Sequence, residues 1–286
     1  MTDRAHIATH RKIINVLMLS LSGLCTLLVL SVLFFILGYL LVHGVKSLNW
    51  NFFTKLPKPS GETGGGMANA IVGSGKILLL ATCIGVPIGA LTGVFLAEYS
   101  GKQFAFLIRY TADLLNGVPS IVIGIFAYSV VVIPMKHFSA WAGGLALGIM
   151  MIPISVRTTE EFLLAVPNSM REGAMALGAT KARTIFTVVI PAAAAGLLSG
   201  LMLNLARVAG ETAPLLFTAL GNMFWSHGWH EPTASLPVMI YNYAISPADD
   251  LHQQAWAAGF VLLSLVLFIN VTARLVIQRG AGASRR

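Results

Sequence analysis

Six long stretches of this chain contain no Asp, Glu, Lys or Arg: Lys12 to His43, Lys76 to Glu98, Asp113 to Lys136, Lys136 to Arg157, Arg183 to Arg207, and Asp250 to Arg274, end residues aside. Each is close to the roughly 20 apolar residues a helix needs to cross the hydrocarbon core of a bilayer. A soluble fold has little room for six such runs. Charged residues are 10% of the 286 and hydrophobic ones 56%, whereas soluble domains carry about 25% charged. The chain reads as an all-α, polytopic membrane protein with about six transmembrane helices.

The first stretch raises the question of a secretory signal, because Arg4, Arg11 and Lys12 would serve as its basic start. Signal cores run about 7–15 apolar residues. This one is roughly twice that and ends in no small-residue cleavage site, so it reads as a retained helix. A net charge of +8 invites a nucleic-acid partner, but topology accounts for it and none is expected. With both termini in the cytoplasm, the inside segments hold Arg4, Arg11, Lys12, Lys102, Arg109, Arg157, Arg171, Lys181, Arg183, Arg274, Arg279, Arg285 and Arg286. The outside segments hold Lys46, Lys55, Lys58, Lys76, Lys136 and Arg207, so that 13 of 19 basic residues lie inside. This is the bias of the positive-inside rule. Cys25 and Cys83 fall within predicted helices and form no metal or disulfide pattern.

The expected layout is a cytoplasmic tail over 1–12, a peripheral helix over 13–42, a core over 69–276 and a second tail over 277–286. Core helices are predicted at about 70–97, 116–135, 140–156, 184–209 and 252–276, with inside loops at 98–113 and 157–183. Pro57, Pro59 and Gly64 to Gly66 make an outer loop after the first helix. The segment 212–250 is apolar but broken by Pro214, Pro232, Pro237 and Pro247. It reads as an external loop lying on the membrane, with Trp225 and Trp229 as interface anchors, or as a partly re-entrant one. Small residues recur every fourth position at Gly85, Gly89 and Gly93, at Gly144 and Gly148, and at Gly196 and Gly200. Such spacing clears a groove for close helix contact.

Gly73-Ser74-Gly75-Lys76 imitates the end of a phosphate-binding P-loop, but Ala70 and Ile77 stand where that motif needs Gly and Ser or Thr. Nucleotide chemistry therefore belongs to another chain. More telling is Val166-Pro167-Asn168-Ser169-Met170-Arg171-Glu172-Gly173-Ala174, followed by Gly178. Pro167 suits the opening of a helix and Gly178 its close, giving about three turns outside the bilayer. A free helix that short is marginal in water, so it persists by packing on something.

Glu172, Ala174, Gly178 and Pro191 together resemble the EAA loop of ABC importer permeases. Gly178 lies six residues after Glu172, and Val188-Val189-Ile190-Pro191 closes the pattern. Gly173 departs from it, standing where the family usually has alanine, at about 1 kcal/mol of helix propensity. The resemblance implies that Pro167, Arg171, Glu172, Gly173, Ala174 and Gly178 dock into a cleft of an ATPase subunit. Further strings extend it over nearly the whole chain: Gly65 to Ile71, Leu96-Ala97-Glu98-Tyr99, Pro119 to Gly124, Arg157-Thr158-Thr159-Glu160, and above all Arg207-Val208-Ala209-Gly210-Glu211-Thr212-Ala213-Pro214-Leu215-Leu216. These resemble the PstA-type permeases of phosphate-specific ABC importers. That implies a type I importer fold and a second homologous permease of PstC type. It also implies two PstB-type ATPases, which carry the ATP and Mg, and a PstS-type phosphate-binding protein. No cofactor is expected on this chain.

Arg207 and Glu211 stand four apart, on one face of a helix. A charge within the membrane costs roughly 2.5–3.5 kcal/mol on insertion scales and usually marks function. Arginine also suits phosphate oxygens with its planar fork. The pair reads as a substrate contact with its orienting or releasing carboxylate, or as an interfacial salt bridge ending helix five. Arg157 reads equally as a positive-inside anchor or a pathway contact at an inner gate. Lys76 reads as an outer-edge lysine, and Glu98 and Asp113 as facing the cytoplasm. The competing functions are a permease for sulfate or molybdate, an ion-coupled carrier, and a membrane scaffold. A carrier has no ATPase for the Glu172–Gly178 loop to meet, and a scaffold does not need Arg207.

Overall fold

The computed structural model describes residues 2–59, 61–62, 64–99 and 101–283, with side chains from 11 to 275 except at 102. Of the charges counted above, the side chains of Arg4, Lys102, Arg279, Arg285 and Arg286 fall outside it. Among the described residues eleven helical elements follow one another: α1 (Thr2–Lys46), α2 (Trp50–Thr54), α3 (Ala68–Glu98), α4 (Lys102–Gly117), α5 (Ser120–Met135), α6 (Ala140–Leu164), α7 (Asn168–Ala176), α8 (Lys181–Ala209), α9 (Ala213–Thr218), α10 (Leu236–Ala244) and α11 (Asp249–Ala283). No strand occurs among the described residues. Among the described residues five helices are long and apolar enough to span a membrane, and α4 with α5, bent at 99°, makes a sixth if counted as one span. The end of the bundle carrying α7 is called lower here, and the end carrying α2 upper.

The frame is the pair α3 and α6, which run side by side in the same direction. The glycine spacing read from the sequence is the reason they can. A methyl group on Gly85 would sit 2.6 Å from the Gly148 carbonyl oxygen and 2.6 Å from Met151 Cβ, and one on Gly93 would sit 2.6 Å from Thr159 Cβ. Gly144 and Gly148 return the favour to Leu80 and Ile84, while Gly196 and Gly200 let α8 lie on the Phe162 ring and Thr158. Overpacking a well-filled interface costs about 1–3 kcal/mol. Gly85→Ala is therefore expected to lower the unfolding temperature of the purified protein in detergent. Gly75→Ala, on the same helix with nothing within 4 Å of the new carbon, is expected not to. Equal tolerance of both would show that the groove is not set by these glycines.

Two helices absorb a proline through one widened turn. Ile133 N–H bonds back five residues to Tyr128 just before Pro134, and Ile190 N–H to Ile185 just before Pro191. A π-turn of this kind relieves the clash of the proline ring with the preceding turn.

Several expected boundaries move. The predicted inside loop 98–113 is mostly α4, an amphipathic helix whose Ala105 and Ala112 are buried. Pro119 ends it and starts α5 at Ser120. The fourth span does not stop at 156 but runs to Leu164, because Arg157 and Glu160 are paired inside the protein and need no exit. The 157–183 loop accordingly shrinks to the turns around α7. The segments read as tails, 1–12 and 277–286, are helical from Thr2 and as far as Ala283.

α1 touches the rest near its end only, with Leu40 against Gly259, Tyr39 edge-on to Trp256 at 5.0 Å, and Gly44 against Phe260. The segment 212–250 is buried in part: its two short helices reach the core, while Met223, Phe224, Tyr241 and Ile245 stay exposed. Pro214, Leu215 and Thr218 of α9 and Leu236, Pro237 and Val238 of α10 lie in the core. Leu236 N–H donates to Ser74 Oγ at 2.7 Å. Non-helical backbone at this depth is tolerated because protein covers it.

Candidate functional site

At the lower end, α7 is built as the sequence suggests. Pro167 caps its start, and Gly178 takes φ +84 just past its end. Gly178 N–H donates to the Met175 carbonyl at 2.9 Å and Ala179 N–H to that of Ala174 at 3.1 Å. This is the paired bond pattern in which a left-handed glycine closes a helix. No residue of α7 is buried. Pro167, Glu172, Gly173 and Gly178 are exposed, Ala174 is half-buried, and Met170, Met175 and Leu177 present apolar side chains outward. Arg171 departs from its expected place among the outward-facing residues. Its guanidinium turns into the bundle, to Glu98 Oε1 at 2.9 Å and to the carbonyls of Leu163 and Val166 at the end of α6. Glu98, read as facing the cytoplasm, is 6% exposed and is the partner that the sequence reading missed.

Further up, four charges from α4 and α6 interlock. Arg109 Nε donates to Glu160 Oε1 at 2.6 Å, and Arg157 Nε to Asp113 Oδ1 at 2.8 Å. A second Arg157–Asp113 bond and an Arg157–Glu160 contact at 3.4 Å close the set. Arg157 thus has two carboxylates inside its own chain. Asp113 is half-exposed, as its cytoplasm-facing reading requires in part, yet it is paired.

Arg207 is different. It lies in the last turn of α8, and that helix ends part-way across the bundle. Three residues earlier, Asn204 Nδ2 donates to the Met151 carbonyl at 3.0 Å and to Ser155 Oγ at 2.9 Å. Met151 and Ser155 are the residues that pack against Gly85 and Gly89. Arg207 is therefore level with the middle of α3, not with its upper end, and counting it among the outside charges placed it too high. Glu211 does not hold it. Gly210 caps α8 and Glu211 N–H turns back to the Val208 carbonyl at 3.1 Å, so the helical i to i+4 geometry stops short of Glu211. Among the described residues Arg207 has no ion pair or hydrogen bond from its side chain. The guanidinium is exposed and lines a groove of about 870 Å3 between α6, α8 and α11, with Thr158, Glu161, Ser199, Asn204, Asn270 and Arg274 supplying its polar walls.

Lys76 is tied to the chain between α9 and α10. Its Nζ donates to the Ser226 carbonyl at 2.7 Å and stands 5.9 Å over the Trp229 ring. The three places are thus separate: an exposed lower helix, a paired charge cluster, and an unpaired arginine at mid-depth.

A family model for the inner membrane component of binding-protein-dependent transport systems matches residues 85–280, which include α7, the charge cluster on α6 and Arg207. The chain belongs to that family of binding-protein-dependent transport system inner membrane components. More narrowly, phosphate transport system permease protein PstA of Haemophilus influenzae is 45% identical to it over 269 residues, covering 94% of this chain and 95% of the relative. PstA of Yersinia pestis is 44% identical over 248 residues, covering 86% and 84%. The fold is similar to that of a solved MetNI methionine ABC transporter chain, with a TM-score of 0.57 at 17% identity over 84% of this chain and 96% of that one. The likeness bears on the fold alone, and agrees with the ABC importer permease architecture.

Proposed function

We propose that this chain is the PstA-type permease subunit of an ATP-driven phosphate importer. The observation that carries the reading is the unpaired Arg207, held at mid-depth by a helix that ends there, in a chain whose relatives are phosphate transport permeases. Phosphate entering a membrane sheds water, and a fixed guanidinium replaces part of that hydration with charge-assisted bonds. Glu211 lies beyond the cap of the same helix, where its charge opposes a resident anion and favours release.

On this reading the chain catalyses no covalent chemistry. It pairs with a homologous PstC-type permease, and α7 meets one of two PstB-type ATPases through Glu172, Gly173, Ala174, Gly178 and the exposed Met170, Met175 and Leu177. ATP and Mg belong to those ATPases, and a PstS-type protein delivers phosphate at the upper end. Both termini then lie in the cytoplasm of a bacterial inner membrane. Arg157, engaged by Asp113 and Glu160, holds α4 to α6 rather than contacting substrate.

The test is uptake of radiolabelled phosphate by cells lacking other phosphate carriers, with the partner subunits present. Uptake is expected to need this chain and ATP, and to resist excess sulfate and molybdate. Competition by either would move the substrate to the other oxyanions, and uptake that persists without ATP hydrolysis would favour an ion-coupled carrier. Orientation is read separately with an impermeant thiol reagent, using Ser60→Cys and Ser284→Cys, two positions outside the described residues. Label is expected at the first only; labelling of the second in intact cells would overturn cytoplasmic termini.

Docking has its own expected result. Nothing lies within 4 Å of a side chain added at Gly178, while its φ of +84 disfavours any other residue, at about 1–2 kcal/mol. Gly178→Leu is therefore expected to leave the chain in the membrane and to reduce ATPase co-purification and uptake together. Glu172→Lys is expected to do the same. Normal uptake in both would remove α7 as the docking element.

A further inference from the structure

The proposed docking helix has a mechanical weakness that one ion pair repairs. α7 has nine residues, none of them buried, and a free helix of that length is marginal. Pushed from outside, such an element would bend or slide without moving the spans above it. Arg171 prevents this. Its side chain is 14% exposed and meets three elements at once. Nε and one terminal nitrogen share Glu98 Oε1, at 3.1 and 2.9 Å, at the end of α3. The terminal nitrogens also donate to the Leu163 carbonyl at 2.7 Å and the Val166 carbonyl at 2.5 Å, below α6. A fourth acceptor, Asn168 Oδ1 at 3.4 Å, belongs to the first turn of α7 itself. Glu98 is gripped from the other side as well. Lys181, the first residue of α8, donates to the Glu98 carbonyl and lies 4.6 Å over the Tyr99 ring.

The lower ends of α3, α6, α7 and α8 therefore meet around Arg171 and Glu98: Arg171 joins the Glu98 carboxylate to the end of α6, and Lys181 of α8 holds the Glu98 backbone carbonyl. Only arginine can serve here. Lysine has one nitrogen and cannot span Glu98 and two carbonyls in a fixed plane. The carbonyls that Arg171 meets belong to a helix C-terminus, where a cation is favoured. Above this point the chain is stiff. α3 and α6 are locked through Gly85, Gly89 and Gly93, and Asn204 ties α6 to α8 one turn below Arg207.

We infer that the Arg171–Glu98 pair is the rigid joint that makes α7 move as one body with α3 and α6, so that Arg171 and Glu98 are positioning residues of the transport cycle and not contacts of the ATPase. This rests on the reading that α7 docks an ATPase. Losing the joint leaves the outward face of α7 unchanged, so the ATPase still binds and turns over while its motion no longer reaches the pathway.

The experiment uses the complete importer in proteoliposomes, with its ATPase and binding protein. It measures radiolabelled inorganic phosphate transported per ATP hydrolysed, alongside ATPase co-purification. For Arg171→Ala the ATPase is expected to co-purify as with wild type, and phosphate per ATP to fall about tenfold, the population cost of losing a charge-assisted hydrogen bond. Glu98→Gln keeps an acceptor and should fall less, and Arg171→Lys should lie between the two. A merely structural strut would lower the yield of assembled protein and leave the ratio in the survivors unchanged. Should Arg171→Ala not accumulate, Glu98→Gln and Arg171→Lys are read in the same way. A normal ratio in the assembled variants, or loss of ATPase binding in them, overturns the inference alone. A wild-type chain that brings down no ATPase overturns the docking reading and the inference with it.

Discussion

Arg207→Gln is expected to abolish phosphate uptake while the chain accumulates normally and still co-purifies with its ATPase. The argument rests on what the guanidinium does not do within the chain. It closes no ion pair among the described residues, so its removal leaves no buried carboxylate without a partner. It also lifts the roughly 2.5–3.5 kcal/mol that a charge at the centre of a span costs on insertion scales. Folding is thus spared or helped, and any loss of uptake is a loss of function. Arg207→Lys keeps the charge but replaces a planar fork by a compact, strongly hydrated point, and is expected to retain partial uptake at best. Glu211→Gln separates two roles for its neighbour. Since α8 ends before Glu211 and no bond joins the two side chains, an orienting role is already disfavoured. A severe defect would assign Glu211 to release, and a mild one to the surrounding field. The measurement is uptake at matched protein level. Normal uptake by Arg207→Gln would take Arg207 out of the pathway.

How far the sequence carried this picture differs from one element to the next. The spans were legible because an uninterrupted apolar run has few alternatives, and the glycines at spacing four marked α3, α6 and α8 as helices with a groove for close contact, without saying which helix fills it. The closing glycine of α7 was legible for a related reason, since a left-handed residue leaves its mark in composition. What failed was the use of charge as a boundary marker. In the sequence Arg157 and Glu160 look like the end of a span, and Lys102, Arg109 and Asp113 like a loop. Long-range pairing lets α6 carry its charges onward and lets α4 fold as a helix. Pairing between residues 44 or 51 positions apart leaves no local trace.

The same blindness governs the functional residues. Arg171 was grouped with its outward-facing neighbours because it stands beside Glu172, yet on a helix adjacent residues point about 100° apart and the two have opposite surroundings. A basic residue at the start of a short helix and an acidic one ending a long apolar run, as at Glu98, are the only hints of their union. Arg207 stands out by its string of neighbours, but the sequence sets it nearer the upper end than the structure does. Sequence alone does not say that a helix stops half-way, nor which parts of the apolar chain after Pro214 are core and which stay exposed.

The second large effect is expected at Glu160, and it decides what Arg157 is for. Glu160 is 3% exposed and takes two bonds from Arg109, at 2.6 and 2.5 Å, and one contact from Arg157 at 3.4 Å. Removing one partner of a buried pair typically costs about 3–5 kcal/mol, because the other charge is left without compensation. Arg109 is about a third exposed, which moves the expected loss for Glu160→Ala to the lower end of that range, still enough to reduce yield and thermal stability in detergent. Glu160→Gln keeps the shape and one acceptor and should fall between. Arg157→Gln breaks mainly the link to Asp113, which is 53% exposed. Exposed pairs contribute about 0–1 kcal/mol, so this variant should be nearly as stable as the wild type. Its uptake per molecule then gives the answer. If Arg157 only fastens α4 to α6, uptake of radiolabelled phosphate at matched protein level stays near normal in Arg157→Gln, while Glu160→Ala fails through loss of protein. A stable Arg157→Gln with collapsed uptake would return Arg157 to the pathway, as a cation that releases its carboxylates when phosphate arrives.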